Sequence, residues 1–475
     1  MDMLPKLPLR AGTPEQFAPL RAFLGQAGDC QETLDFLLRL FRDGNSVDRE
    51  AVERWIPNAV QRSFEALGLL GADSAGCYCP VALYPVRGIW IASDRWKNRQ
   101  GDSVPMEQDF VIPATHRLTR EFLDLLPESS CNKLLELCSG AAAAALLGAK
   151  SYARESWAAD VSERATQFGE FNRLLNDLNN ATVLQGNLYE PVTGLVFDRI
   201  VAHPPYVPTL EACAVHADGG EDGEFITRAI VEGLPRYLAP GGRFYCTTMG
   251  LDRDGEPYEQ RVRQWLGAAE SEFDVLFLGG SSQGPAQFAY RTARTKRGNW
   301  DLMDRWRAHL EKLKITRLVS GSLVIQRREC TRTVFTIRRQ KGENGGASEA
   351  EWLLDWERRR AEPGAAERLL QSRLVASTGV EVHTIHAKRS DVFVPTKFTL
   401  KTRHPFHVEY ECPAWVAKLV QHCDGKIAAQ DLLEAGRLGQ WIADSVSDEQ
   451  VAHTLAHLVS VGILRDPVTY WYPEV

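Results

Sequence analysis

The sequence predicts an α/β protein whose mostly parallel sheet is flanked at both chain ends by mainly helical domains. Seven short apolar runs alternate with helical stretches between residues 109 and 340, as in parallel sheets joined by helical crossovers. Apolar residues recur every three to four positions in residues 14–70 and 413–464, the period of amphipathic helices. At 475 residues the chain is too long for one core, and its length suggests about two to four domains.

Residues 1–107 are predicted to form an N-terminal winged-helix-like domain. Its first helical stretch, TPEQFAPLRAFLGQA, begins with a capping threonine and a proline at the first helical position. A later stretch, CYCPVALYPVRGIWIASD, alternates in polarity and breaks at Pro85 and Gly88, which indicates a two-stranded hairpin. Helices followed by a hairpin are the order found in winged-helix modules.

Residues 108–341 are predicted to hold the sheet, and residues 348–475 a C-terminal winged-helix-like domain. The Gly-rich polar break KGENGGASEAE lies at residues 341–351 and is interpreted as a linker. The C-terminal helices and the extended segments before them are similar to PqqD-like peptide-binding modules, which would capture an extended peptide on a strand edge. The alternative is a packing or homodimerisation domain.

Composition and charge favour a soluble cytoplasmic protein. The N-terminus has no apolar h-region, and no uncharged apolar run is long enough to span a bilayer. The ten cysteines include no CxxC pair, which argues against a disulfide framework or a zinc ribbon. The net charge is −7, yet residues 291–341 hold fifteen Lys and Arg against four Asp and Glu. This segment could bind RNA phosphates or an acidic peptide, or it could simply turn solvated faces outward.

The stretch LLELCSGAAAAALLG predicts a loop that a ligand can approach closely. A strand ends there in an acidic residue, Glu136, and turns through Ser139 and Gly140 into a helix of small side chains. In open α/β sheets, ligands lie beyond the carboxyl ends of the strands, next to helix N-termini. About twenty residues later a second strand ends in Asp160, the position from which a carboxylate can accept two ribose hydroxyls.

At this point the chain resembles the class I methyltransferases that use S-adenosylmethionine, and more closely the HemK-like and adenine-amino methyltransferases with an Asn-Pro-Pro-Tyr motif. The resemblance covers about half of the chain. It runs in order through VIP (Val111–Pro113), LLELCSG, WAADVSERATQFGEFN, LQGNLYEPVTGLVFDRIVAHPPYV, GGEDGEFITRAI and LAPGGRFY. It implies a Rossmann-like sheet of seven strands and S-adenosyl-L-methionine as the cofactor.

The resemblance also implies roles for individual residues near the cofactor. Glu136 and Gly140 would shape the cofactor loop, Asp160 would hold the ribose, and Asn187 would lie near the adenine. The glycine pattern of these relatives appears here as Cys138, Gly140 and Ala142, so that small residues remain but the loop could be reshaped. Asn187 stands where many relatives have Asp, and it keeps a side-chain acceptor without the charge.

The motif that departs most from the resemblance is VAHPPYVP, residues 201–208. In the relatives, the oxygen of an Asn or Asp and a proline carbonyl accept both hydrogens of a planar NH₂ group, and an aromatic ring stacks on the target. Pro204 and Tyr206 match that pattern, but His203 replaces the first residue. Its neutral imidazole can accept one N–H, or it can act as a general base near neutral pH. A structural role, without catalysis, is the remaining interpretation. As the first residue after a strand, His203 is also expected to lie against the cofactor.

Other histidines and acids are weaker candidates. His216, Asp218 and Glu221 lie in the loop after the motif and could close over the substrate, or be solvated loop residues. The pairs HTIH and HPFH have a spacing of three, which places two side chains on opposite faces of a strand. No metal site is therefore expected.

The predicted function is methyl transfer from S-adenosylmethionine to a nitrogen or oxygen acceptor on a peptide, a protein side chain or a small metabolite. Nucleic acid is the less favoured acceptor because the net charge is acidic and His203 replaces the Asn or Asp of base-directed relatives. Two alternatives remain open: an RNA or DNA amino-methyltransferase, and a non-catalytic regulatory protein that binds the cofactor.

Overall fold

The structure is a computed structural model, and it describes residues 9–26, 31–97, 108–211, 214–295, 299–330, 332–342 and 346–466. The described residues up to 97 form helices α1 (Pro14–Gln26), α2 (Gln31–Leu37), α3 (Arg49–Trp55) and α4 (Asn58–Ala66), followed by strands β1 (Gly71–Asp73), β2 (Gly76–Tyr78), β3 (Ala82–Val86) and β4 (Ile89–Ser93). A π-helical turn, Leu38–Arg42, comes directly after α2.

The central part of the chain alternates strands and helices. In chain order these are α5 (Arg117–Asp124), β5 (Cys131–Leu137), α6 (Ala143–Ser151), β6 (Ala153–Asp160), α7 (Glu163–Leu175), β7 (Ala181–Gln185), β8 (Phe197–Ala202), α8 (Phe225–Tyr237), β9 (Leu238–Arg253), α9 (Tyr258–Trp265), β10 (Phe273–Gln283), α10 (Pro285–Thr295), α11 (Trp300–Lys312), β11 (Ile315–Arg327) and β12 (Thr336–Gln340).

The C-terminal part combines helices with short sheets. It contains α12 (Ala347–Arg360), α13 (Ala365–Gln371), β13 (Val375–Ala376), β14 (Glu381–Arg389), β15 (Val392–Thr402), β16 (Val408–Cys412), α14 (Ala414–His422), α15 (Ala429–Leu438), α16 (Asp448–Ser460) and β17 (Leu464–Arg465). Strands β14, β15 and β16 form an antiparallel sheet. No helix among the described residues is long and apolar enough to cross a membrane.

The central sheet has eight strands in the order β12-β10-β11-β9-β8-β5-β6-β7. Strands β7, β6, β5, β8 and β9 run parallel to one another. From β5 the chain moves outward through β6 to β7, and it then returns to add β8 and β9 on the other side. The order therefore reverses between β5 and β8, and this is where a doubly wound sheet opens a crevice for ligands.

The residues of the inner strands explain why they occupy the centre. Leu134, Leu135, Ile200 and Val201 are fully buried, as expected for strands that helices cover on both faces. Helix α6 consists largely of alanine, and its buried small side chains let it pack closely against β5 and β6. The sheet thus holds the carboxyl ends of β5, β6 and β8 in fixed positions.

The predicted α/β class with a mostly parallel sheet is confirmed. The seven predicted strands are present, and the short β12 adds an eighth by pairing with β10 in parallel. The predicted hairpin is β3–β4, and its two turn residues, Arg87 and Gly88, both have positive φ, as a type I′ turn requires.

The chain divides into two compact units. One comprises the described residues up to Ser271 with Gln283–Leu318 and Ile325–Glu329, and the other comprises Glu272–Ser282, Val319–Val324 and the described residues from Cys330 onward. The division into domains 1–107, 108–341 and 348–475 stays a prediction, as does the winged-helix character of the first and last. Residues 98–107 and 343–345, near the predicted boundaries, lie outside the described residues.

Candidate active site

The crevice between β5 and β8 places two loops side by side. Leu137, the last residue of β5, is paired with Ala202, the last residue of β8. Because the strands are parallel, the next residues, Cys138 and His203, start their loops at the same edge of the sheet. Asp160 ends β6 at this edge, since Ala159 is the partner of Leu137. Three strand ends therefore converge on one point.

A cavity of about 810 Å³ opens at this point. All eight residues chosen from the sequence line it: Glu136, Cys138, Gly140, Asp160, Asn187, His203, Pro204 and Tyr206. Asn187 lies on its exposed rim, and the others lie deeper. The structure thus brings together residues that the sequence spreads over seventy positions. Their roles stay predictions.

The loop after β5 has an unusual backbone. Cys138, Gly140 and Ala142 have φ of 54°, 52° and 61°, which is the left-handed region that favours glycine. These are the three positions at which the resemblance places glycines. Cys138 and Ala142 adopt the same left-handed conformation in spite of their Cβ atoms, so the loop takes the path of a glycine loop.

Asp160 fixes this loop. Its Oδ2 accepts the backbone N–H of Gly140 at 2.8 Å, and its Oδ1 accepts that of Ser162 at 2.9 Å. Burial raises the pKa of the Asp160 carboxyl, and these two N–H donors oppose the shift. Each carboxylate oxygen keeps a further lone pair. Asp160 can therefore hold the loop and still accept hydroxyl groups of a ligand.

Glu136 lies deeper, with 4% of its side chain exposed. Its Oε2 accepts the backbone N–H of Ala145 in the first turn of α6 at 2.7 Å. Burial raises the pKa of Glu136 to about 8, so the carboxyl is mostly protonated at neutral pH. Nearby, the Ser139 hydroxyl is buried and has no hydrogen-bond partner in the structure. A bound polar ligand with a cationic group would satisfy the hydroxyl and favour ionisation of Glu136.

His203 lies at the other end of the cavity among aromatic rings. Its ring stacks on Tyr206 with centroids 5.8 Å apart and lies 5.3 Å from the ring of Phe122. Burial, and to a smaller extent the nearby His116, lower the pKa of His203 to about 4. The imidazole is therefore neutral at physiological pH. A general base titrating near neutrality, as one interpretation of the sequence expected, does not fit this environment.

Further aromatic residues close this end of the cavity, and of these the sequence reasoning selected only His216, as a weaker candidate. Trp96 lies 5.0 Å from Phe110 and 5.7 Å from His116, and Phe110 lies 6.1 Å from His216. All four line the cavity together with Phe122. We call these residues with His203 and Tyr206 the aromatic wall. Trp96 comes just after the predicted hairpin in the sequence, but no spacing pattern linked it to the motif at 203–206.

The loop after the motif contains the three weaker candidates, and they behave differently. His216 lines the cavity; burial lowers the pKa of its imidazole, and a hydrogen bond with the Phe110 backbone opposes that shift. Asp218 also lines the cavity, but its Oδ1 accepts the Thr209 hydroxyl and the Gly220 backbone N–H, which fixes the loop. Glu221 is not part of the cavity lining.

The hairpin β3–β4 is held against α7, and this fixes one side of the aromatic wall. Asn172 donates to the carbonyls of Ala92 and Ala141 and accepts the N–H of Ala92 at 2.7 Å. Asp94 accepts the backbone N–H of Val111 and forms a buried ion pair with Arg164. Asn172 therefore connects the hairpin directly to the loop that Asp160 also holds.

The basic segment at residues 291–341 is partly used inside the protein. Arg327 donates to the carbonyls of Pro235 and Leu238, Arg328 donates to that of Ser271, and Arg332 pairs with the buried Asp274. These guanidinium groups stabilise the fold. Among the described residues, no group of three or more His, Cys, Asp or Glu is arranged to hold a metal ion.

Residues 116–271 match the model of the family described as "Methyltransferase small domain". A release factor glutamine methyltransferase of Thermodesulfovibrio yellowstonii is 30% identical over 28% of this chain and 53% of its own length. A release factor glutamine methyltransferase of Xylella fastidiosa is 29% identical over 39% of this chain and 67% of its own length. A ribosomal protein uL3 glutamine methyltransferase of Bradyrhizobium diazoefficiens is 26% identical over 32% and 51%. The chain thus spans about half the length of the first curated relatives it matches.

Proposed function

From the match of residues 116–271 to the methyltransferase small domain, within the HemK-like group of class I methyltransferases, we propose that this chain methylates a carboxamide nitrogen of a protein side chain with S-adenosylmethionine. The observation that carries the proposal is the position of His203-Pro204-Pro205-Tyr206 at the switch point, facing the loop that Asp160 and Glu136 define. The cofactor and the acceptor would thus meet between β5 and β8.

The residues at the β5 and β6 ends fit the cofactor. Asp160 offers carboxylate lone pairs to a ribose diol, the Ser139 hydroxyl lacks a partner, and Glu136 would be ionised by an adjacent ammonium group. The loop at 138–142, with left-handed backbone at Cys138, Gly140 and Ala142, carries only small side chains and lets a ligand approach its backbone. When bound, S-adenosylmethionine supplies an electrophilic methyl group on a sulfonium. The chain's part is to hold it in one orientation and exclude water.

The residues at the acceptor end of the cavity favour a planar carboxamide NH₂ group as the methyl acceptor. A neutral imidazole at residue 203 offers one nitrogen as an acceptor, and the carbonyl of Pro204 offers a second. If these accept the two hydrogens, the nitrogen lone pair is directed toward the cofactor, and Tyr206 supports the plane of the group. The N–CH₃ bond would form as the S–CH₃ bond breaks, S-adenosylhomocysteine would leave, and the strongly acidic N-methylated product would lose one N–H proton to water without a general base. His203 would thus orient the amide in the role that the side-chain oxygen of Asn or Asp has in the resemblance.

The protonation of His203 favours a carboxamide over an amine or hydroxyl acceptor. An amine must lose a proton before it can attack, and a hydroxyl needs a base with a pKa near the working pH. With a pKa of about 4, His203 is too weak a base for either task at neutral pH. The names of the relatives describe glutamine methylation of release factors and ribosomal protein uL3, which supports a protein amide here too.

The two alternatives receive less support. Nucleic-acid methylation would use the basic segment, but Arg327, Arg328 and Arg332 are engaged in contacts within the fold. A purely regulatory protein would not need a stiff Pro-Pro loop beside the cofactor. The amide assignment is therefore the one that gives a role to both His203 and the Pro204 carbonyl.

A direct test is transfer of a tritiated methyl group from S-adenosylmethionine to peptides with a single Gln, Glu or Lys. We expect label on the Gln peptide that survives mild base, because an N-methyl amide is stable where a methyl ester releases methanol. The Asp160→Ala variant, in which weaker cofactor binding is expected, serves as the control with reduced transfer at low cofactor concentration. Base-labile label on the Glu peptide would contradict the amide assignment, and label on the Lys peptide would contradict it as well.

A further inference from the structure

A second cavity lies on the far side of Trp96. It has a volume of about 480 Å³, and its lining comes from the π-helical turn and the segment just after that turn, from the hairpin, and from the segment before α5. Trp96 lines both this cavity and the larger one. Trp96 is therefore part of the wall of both cavities, and a ligand in the acceptor cavity that extends along Trp96 would approach the second one.

The second cavity is rich in hydrogen-bond donors. Arg42, Asn45, Lys97 and Thr115 line it and are exposed at its mouth. The two carboxylates in its lining have partners: Asp43 pairs with Arg42, and Asp94 is held by Arg164 and the Val111 N–H.

Lys97 is the cation of this cavity whose charge is most available to a ligand. Arg95 is fixed from inside the protein, since its guanidinium donates to four backbone carbonyls. Among the described residues, no hydrogen bond or ion pair engages the Lys97 ammonium. It therefore remains available to an acceptor or an anion that enters from outside.

We propose that this second cavity binds the polypeptide next to the methylated residue, and that an acidic side chain of this polypeptide pairs with Lys97. The proposal rests on the proposed function, because the methylated side chain must occupy the aromatic wall while its neighbours pass Trp96. Peptide carbonyls and a carboxylate are the groups that a cavity of donors recognises. The planar Trp96 ring then separates the amide from the charged neighbour.

This geometry predicts which charge is favoured on the peptide residues next to the methylated side chain. A carboxylate near Lys97 gains attraction in a partly enclosed site, whereas a lysine there faces the Lys97 ammonium and is repelled. The site thus selects among peptides by a residue that is not itself modified. Selection of this kind would add specificity that the uncharged aromatic wall does not provide.

The test compares two peptides with a central glutamine, one flanked by aspartates and one by lysines. Binding is measured by calorimetry with the full chain saturated in S-adenosylhomocysteine. We expect the aspartate peptide to bind about 3- to 10-fold more tightly than the lysine peptide. The Lys97→Glu variant should abolish or invert this preference. Lys388→Glu, an exposed charge reversal on β14, should leave it unchanged.

The outcomes separate this proposal from the proposed function. If both peptides are methylated but bind equally well, or if Lys97→Glu keeps the preference, the second cavity has no such role and the methyltransferase assignment stands. If the preference depends on Lys97 but neither glutamine is methylated, the binding site stands and the amide assignment fails. Retained cofactor affinity in Lys97→Glu shows that the variant is folded, so the comparison remains valid.

Discussion

The two ends of the main cavity differ in how the chain builds them. At the cofactor end, Glu136, Cys138, Gly140 and Asp160 come from two consecutive strand ends, and they interact through backbone N–H groups. At the acceptor end, the aromatic wall comes from the hairpin, the segment before α5, α5 itself and the motif loop, and it is held mainly by ring contacts.

This difference affects how each end of the cavity follows the sequence pattern of the resemblance. A backbone that must bend around a ligand restricts the residue type at each position, because φ and the space for Cβ are fixed locally. An aromatic wall can be built from many ring types at many positions, provided that the rings meet in space. The cofactor end keeps the strand ends and the left-handed loop of the resemblance, with Cys138 and Ala142 at two of its three glycine positions, whereas the acceptor end carries a histidine in place of the expected Asn or Asp.

The sharpest test of the comparison is His203, where the acceptor end departs from the pattern. We expect His203→Ala to lose about 10²–10⁴ in turnover while it keeps cofactor affinity, because the amide is no longer oriented. His203→Asn should recover most of the activity, since its side-chain oxygen supplies the same acceptor. Turnover is measured by transfer of labelled methyl under saturating cofactor. Equal rates in the Ala, Asn and His enzymes would show that Pro204 and Tyr206 position the acceptor without residue 203.

The pH dependence of wild-type turnover tests the same role of His203. A pKa lowered from 6.5 to about 4 by burial means that the active, neutral form of His203 prevails above pH 5. Turnover attributable to this residue should thus be flat from pH 6 to 8 and should fall only as the pH decreases toward 4. A rising limb centred near pH 6.5 that disappears in His203→Asn would instead restore the general-base interpretation.

The second-largest effect of a substitution is expected at the cofactor end of the cavity. Asp160→Ala removes the acceptor of the Gly140 and Ser162 N–H groups and the expected ribose ligand. We expect binding of S-adenosylhomocysteine to weaken by about 1.5–3 kcal/mol, the scale of hydrogen bonds to a charged group. Calorimetry measures the affinity, and Asp218→Ala is the control, since that carboxylate fixes the motif loop instead. A smaller loss in Asp160→Ala than in Asp218→Ala would contradict the assignment of the two ends.

The sequence predicted the parts of this site that depend on local rules. The seven strands, the β3–β4 hairpin and the convergence of residues 136–160 can be derived from hydrophobic periodicity and the order of motifs. The aromatic wall did not follow from such rules, because Trp96, Phe122 and His203 are far apart in the sequence and line one cavity only in the folded chain. The lowered pKa of His203 was not predicted either, since it results from burial of the ring in the folded protein. The basic segment was interpreted from charge count alone, which does not show which guanidinium groups are used internally.

The link between the two ends can itself be tested at Asn172, whose amide joins the hairpin to the cofactor loop. Asn172→Ala leaves the Ala92 N–H and C=O and the Ala141 C=O without this partner inside the protein. We expect a loss of about 1–3 kcal/mol in unfolding free energy and weaker binding of both the cofactor and the peptide. Denaturant unfolding and calorimetry give the two quantities. Asn176→Ala, which detaches Trp90 of the same hairpin without contacting Ala141, should weaken peptide binding and spare the cofactor.

The smallest expected effect concerns the backbone of the cofactor loop. Gly140 has φ of 52°, and a Cβ added there would have only Val111 Cγ1 within 4 Å, at 3.9 Å. Gly140→Ala is therefore not blocked by sterics, and its cost, about 1 kcal/mol, comes from forcing a side chain into the left-handed region. Gly194→Ala is the matched control, because Gly194 has φ of 89° and open space around it. Both variants should lose similar unfolding free energy, but only Gly140→Ala should also bind S-adenosylhomocysteine less tightly, by a few-fold. If the two variants bind it equally well, the loop tolerates a methyl group as it already does at Ala142, and its left-handed path alone defines the cofactor end.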